Sequence, residues 1–171
     1  VHVAPPSFDS TTAPQSPTAQ MCCGEAYITE NRLFSVGDWP AARTLIEQLR
    51  PISRDKPQMA FDLDVRQAYI AAREQGLPQA LAMVEPWRAQ LAAQPGLYES
   101  RVATVHHAGG DGAGFLRLMD EALAHTPGDP SRTVDAALAH ARFGDAARAA
   151  ELMAGLDAGL LPPHGAGFVN W

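Results

Sequence analysis

Two adjacent cysteines are the first residues of this sequence whose type suggests metal or redox chemistry. Cys22 and Cys23 have no second cysteine pair at metal-binding spacing, so they cannot complete a tetrahedral zinc site. A disulfide between them would be strained, because its geometry needs α-carbons farther apart than one peptide bond allows. We interpret both as small residues at the start of a helix, and a reactive or intermolecularly paired thiol is the alternative.

A group of histidines offers a second possible chemistry. His106 and His140 stand 34 residues apart, and His107 and Asp111 lie close to the first of them. Two imidazoles and a carboxylate can bind a transition metal if the fold brings them together. We favour the interpretation that these histidines are half-buried and hydrogen-bond locally, which would lend the packing some pH dependence. The sequence therefore predicts neither a metal nor a cofactor.

The glycine-rich segment 109–114 resembles a phosphate-binding loop by composition only. No strand pattern precedes it, and no Lys-Ser or Lys-Thr pair follows it. We interpret it as a turn between helices. The sequence also contains no convincing Ser-His-Asp, His-Glu-x-x-His or paired-carboxylate pattern, and we therefore predict that the chain is not an enzyme.

Regularly spaced glycines indicate how the chain is built. Gly144 stands 34 residues after Gly110, Gly76 stands 34 before it, and Gly37 stands 39 before Gly76. A period of this size is typical of stacked supersecondary units. We expect each glycine to take the left-handed backbone conformation that ends one helix and lets the next return. Apolar residues follow at spacings of three and four, which place them on one face of a helix. In the last unit these are Ala146, Ala149, Ala150, Met153 and Leu156.

The positions after these glycines resemble the tetratricopeptide repeat family. The residue five after the glycine is small or bulky, the next key position is apolar, and the third unit closes with Ala122, Leu123 and Pro127. The first two sets are Ala42, Phe115 and Ala149, then Ile46, Met119 and Met153. The resemblance implies an all-α fold in which about four antiparallel helical hairpins, over residues 24–161, stack as a short right-handed solenoid. A related helical-repeat fold is the alternative.

Two prolines mark irregular places in this pattern. Pro86 falls inside the second helix of the second unit, and a kink is expected near Glu85. The first unit's second helix is predicted from Pro40 to Arg50, with a polar loop from Pro51 onward. Asp129 or Ser131 is expected to cap the next unit's first helix.

The two ends of the chain differ from the repeats. Residues 1–23 are rich in Pro, Ser and Thr, and we predict a flexible segment there. Residues 162–171 resemble the start of a further helix or a truncated fifth repeat. We therefore expect the chain to be one portion of a larger protein.

Composition excludes several kinds of partner. The hydrophobic content of 46% with only 7% aromatic residues suits helices packed by Ala, Leu and Met. A formal net charge of −6 argues against nucleic acid, which requires a basic face. No apolar run approaches the roughly 20 residues of a membrane-spanning helix.

The family resemblance implies that the first helices of the hairpins line a concave groove that binds a protein or peptide. Arginines in the groove favour an acidic or carboxylate-bearing partner. The predicted partner-binding residues are Tyr27 and Asn31 in the first unit, Arg66, Gln67, Ile70 and Arg73 in the second, Arg101, Thr104 and His107 in the third, and Arg142 in the fourth; Phe34 and Leu138 occupy neighbouring groove positions.

Three of these residues partly match the clamp by which some family members hold a peptide's terminal carboxylate. They are Asn31, Gln67 and Arg101, while Tyr27 and Leu97 stand where that clamp has lysines. The alternative is that the arginines are ordinary solvated charges. We predict a protein–protein interaction module; the alternative is an accessory repeat region of a larger enzyme, or of a sensor or transcriptional regulator.

Overall fold

The chain is all-helical in the computed structural model, which describes residues 33–34 and 36–156. The helices are α1 (Trp39–Ser53), α2 (Pro57–Glu74), α3 (Leu77–Val84), α4 (Trp87–Gln90), α5 (Leu97–Ala108), α6 (Gly112–His125), α7 (Pro130–Phe143) and α8 (Ala146–Ala154). The described residues contain no strand, so the predicted all-α class is confirmed. None of these helices is both long and apolar enough to cross a membrane.

Aspartates start four of the helices. Asp38, Asp111 and Asp145 each follow a turn glycine, and their side chains accept backbone N–H groups in the first turns of α1, α6 and α8. Asp129 does the same for α7, with Pro130 as the first helical residue, as predicted. Each cap satisfies N–H groups that have no partner within the helix, a contribution of about 1 kcal/mol.

Three of the four periodic glycines have the expected backbone conformation. Gly37, Gly76 and Gly110 have φ angles of +73°, +103° and +79°. The prediction was wrong for Gly144, whose φ is −135°. A side chain is disfavoured there for a different reason, because a Cβ would lie 2.7 Å from a terminal methyl group of Leu116.

The two prolines behave differently. At Pro86 the helix breaks, as predicted: α3 ends at Val84 and α4 begins at Trp87. The prediction of a loop from Pro51 was wrong, because α1 continues through it to Ser53. In the last turn a proline costs only one helical hydrogen bond, and the Ser53 hydroxyl donates to the Arg50 carbonyl at 2.9 Å.

The helices pack mostly against their neighbours along the chain. Contacts join α2 with α3, α5 with α6, and α7 with α8; α1 packs on α2, both α2 and α3 pack on α5, and α6 packs on α7. Helix α2 is buried on two sides, with Phe61 and Ala68 in one core cluster and Leu63 and Ile70 in another. This packing leaves only a strip of α2 at the surface, which includes Arg66 and Arg73.

Candidate functional site

Helices α5, α6 and α7 enclose a cavity of about 340 Å³ that opens to the surface. Its apolar wall includes Phe115, Met119 and Ala139, whose exposed fractions are 3–4%. Leu138 and Phe143 also line it and are 45% and 39% exposed. The cavity therefore joins a buried apolar floor to an exposed apolar rim.

Arginines dominate the charged groups of this cavity. Arg101 from α5 and Arg132 and Arg142 from α7 line it, with Asp135 as the acidic side chain of the lining. Burial raises the pKa of Asp135, and the charges of Arg132 and Arg101 oppose that rise. Three guanidinium groups against one carboxylate leave the opening positively charged.

Arg101 is also held from the side of α2. Its Nε lies 3.0 Å from Asp62 Oδ1, which is an ion pair by distance, although the N–H direction does not satisfy hydrogen-bond geometry. Asp62 therefore offsets part of the Arg101 charge. The salt bridge also shows that surface residues of α2 and α5 lie side by side.

An aromatic cluster with a histidine adjoins the cavity. The centroid of the His107 ring lies 5.5 Å from that of Phe115 and 4.7 Å from that of Phe143, and the Arg142 guanidinium lies 4.9 Å from the Phe143 centroid. Burial lowers the pKa of His107, and the positive charges of Arg142 and Arg73 lower it further. Residues near the ends of α2, α5 and α7 thus share one positively charged region.

The structure brings five of the predicted partner-binding residues to this region. Arg101, Thr104 and Arg142 line the cavity, and Arg73 and His107 act electrostatically beside it. The Thr104 hydroxyl donates to the Arg101 carbonyl at 2.8 Å, so the hydroxyl is oriented by its own helix.

The other predicted residues lie elsewhere. Arg66 stacks over Phe34, with 5.7 Å from its guanidinium to the ring centroid. Gln67 accepts a hydrogen bond from Arg50 of α1, and Ile70 is fully buried in the core, where no partner can reach it. Tyr27 and Asn31 lie outside the described residues, as do the cysteine pair and both terminal segments.

The histidines of the possible metal site are held apart by separate carboxylates. His106 Nδ1 lies 2.8 Å from Asp111 Oδ2, and His140 Nε2 lies 3.0 Å from Asp120 Oδ1. Both imidazoles are buried and bond locally, in the way we favoured. In the described part of the chain, no group of three or more His, Cys, Asp or Glu side chains could hold a metal ion.

The glycine-rich segment has a steric role in one of these pairs. A Cβ at Gly114 would lie 2.3 Å from both His106 Nδ1 and Asp111 Oδ2. The Gly114 N–H also donates to Asp111 at 2.9 Å, and this bond, followed by the contact with His106, lowers the pKa of Asp111. The segment is a turn and the first turn of α6, as we interpreted it.

Sequence reasoning missed the cavity residues Arg132, Asp135 and Phe143. A signal for two of them was present, because Arg132, Asp135, Leu138 and Arg142 follow one another at spacings of three, three and four. That spacing places them on one face of a helix. A helical projection of α7 would have found the arginine and the aspartate.

Comparisons with models of protein families, with curated proteins and with solved structures gave no match.

Proposed function

We propose that these helices form a short right-handed stack of tetratricopeptide-like hairpins, and that the face made by α2, α5 and α7 binds a peptide or protein segment bearing carboxylates. The observation that supports this most directly is the cavity whose lining includes Arg101, Thr104 and Arg142. The order of helix contacts along the chain supports the stacked arrangement.

The chemistry of the face suits a partner with both apolar and acidic groups. Apolar atoms that enter the cavity leave water, which contributes roughly 25 cal/mol per Å². Guanidinium groups at the opening can donate charge-assisted hydrogen bonds to carboxylates. The chain as a whole carries a net charge of −6, so this positive region would steer an acidic partner to one face of an otherwise repulsive molecule.

A peptide-display selection on the full chain tests the proposal. The comparison is a double variant, Arg101→Glu with Arg142→Glu, and the matched control is Arg117→Glu with Arg148→Glu, which makes the same charge change on α6 and α8. Circular dichroism establishes that all three proteins are folded. We expect the wild type and the control to retain peptides rich in Asp and Glu, and the first variant to lose them.

Two results would contradict the proposal. Equal capture by both double variants would place binding on another face. The absence of any selected peptide would favour the alternative, in which the helices are an accessory region of a larger enzyme or regulator.

A further inference from the structure

We infer that the bound peptide anchors itself by one large apolar side chain in the cavity, with an acidic residue on each side of that anchor, one reaching Arg132 and the other Arg142. This inference rests on the proposed function and specifies the partner: an internal acidic–apolar–acidic segment, whose carboxylates belong to side chains.

The shape of the cavity calls for an apolar anchor. Its volume of about 340 Å³ is at the lower end of the range for ligand sites, which suits one large side chain rather than a long stretch of peptide. Phe115, Met119 and Ala139 offer no charge at its floor. Leu138 and Phe143 at its edge are two of the most exposed large apolar residues in the described part of the chain, and an anchor would cover them.

The arrangement of charge calls for acids on both sides. Asp62 offsets part of the Arg101 charge, whereas no carboxylate among the described residues lies within ion-pair distance of Arg132 or Arg142. Asp135 interacts with Arg132 at longer range. Arg142 lies against the Phe143 ring and near His107, where a carboxylate would relieve the repulsion between positive charges.

The distance between the two arginines sets the spacing in the peptide. Arg132 and Arg142 are ten residues apart on α7, which corresponds to a rise of about 15 Å. An extended chain advances about 3.3 Å per residue, so two carboxylates four to five positions apart match that span. Leu138 lies between the arginines, and the anchor therefore belongs between the acids.

Fluorescence anisotropy with a defined peptide tests the inference on the full chain. The peptide is fluorescein-Gly-Ser-Glu-Gly-Phe-Gly-Glu-Gly-Ser with an amidated end, so its carboxylates are only those of the two glutamates. We expect binding that weakens at least tenfold when Phe is replaced by Ala, because the buried contact is lost. A peptide of the same composition with both glutamates after the phenylalanine should bind several-fold more weakly.

Variants of the chain locate the contacts. Arg132→Gln and Arg142→Gln should each lower affinity roughly three- to fivefold, the range for a solvent-accessible ion pair. Neither should affect a peptide that lacks the matching glutamate, as a double-mutant cycle would show. Arg148→Gln on α8 is the matched control and should leave affinity unchanged. Leu138→Glu, at an exposed position, should abolish binding while circular dichroism remains the same.

The possible failures are distinct. No binding of the designed peptide, or equal binding of the Ala and rearranged peptides, overturns the inference, and the proposed function still stands if the display selection yields acidic peptides. A concentration-dependent dimer that Leu138→Glu dissociates, without peptide binding, would assign the cavity to a second copy of the chain and also overturn the inference.

Discussion

Replacing Gly96 by alanine should destabilise the protein substantially more than replacing Gly110, although the two glycines have nearly the same backbone conformation. Their φ angles are +78° and +79°, both in the left-handed region. A Cβ at Gly96 would lie 2.8 Å from the backbone carbonyl oxygen of Ala122, whereas a Cβ at Gly110 would meet nothing within 4 Å. The pair therefore separates the cost of conformation from the cost of a close approach between α6 and the start of α5.

The expected magnitudes follow from this geometry. An L-residue in the left-handed region costs about 1–2 kcal/mol, partly offset by the lower entropy of the unfolded chain, so Gly110→Ala should lose about 1 kcal/mol. At Gly96 the contact is with backbone, which cannot rotate away as a side chain can. Overpacking of this kind adds roughly 1–3 kcal/mol, so Gly96→Ala should lose about 2–4 kcal/mol.

Urea unfolding followed by circular dichroism at 222 nm measures both free energies of unfolding. Equal slopes with denaturant for the wild type and the two variants allow the midpoints to be compared directly. If the two variants differ by less than about 0.5 kcal/mol, the close approach of Gly96 to Ala122 does not exist and the packing of α5 on α6 has been misunderstood.

Three further predictions concern single groups. Asp129→Ala should lower the free energy of unfolding by about 1 kcal/mol in urea titrations because it removes the cap of α7, and Asp129→Asn should restore most of it. Burial and the nearby Glu85 raise the pKa of Tyr98 to about 12, although Arg88 opposes this rise. The folded state therefore holds that proton between pH 10 and 12 while the unfolded state has lost it, so stability is complete below pH 10 and falls across this range; unfolding at a series of pH values should show a loss that Tyr98→Phe removes. Arg142→Gln should raise the pKa of His107, measured by NMR titration of the imidazole, and an unchanged titration would mean that the two groups are not neighbours.

Local features were predictable because they depend on residues close together in sequence. Gly37, Gly76 and Gly110 mark left-handed turns, and Pro86 breaks a helix, because each imposes its own backbone restriction. Gly144 did not follow, since its need for a missing side chain comes from Leu116 of another helix. Nothing in the local pattern distinguishes a glycine that needs positive φ from one that needs space.

The site was predictable only in part, for a related reason. Arg101, Thr104 and Arg142 were named from the repeat pattern and do line the cavity. Ile70 was also named, but α2 packs against α1 on that side and buries it completely. Periodicity indicates which residues share a face of one helix; it does not say whether another helix covers that face.

The sequence by itself determined that the chain is helical, where most of its helices begin and which turns need glycine, because capping, proline geometry and helical spacing act within a few residues. Tertiary structure alone decided that α5, α6 and α7 leave a cavity between them and that three arginines surround it. That outcome depends on how closely helices approach, and the approach is set by side chains distant in sequence, such as Phe115 and Phe143 at 5.5 Å between ring centroids.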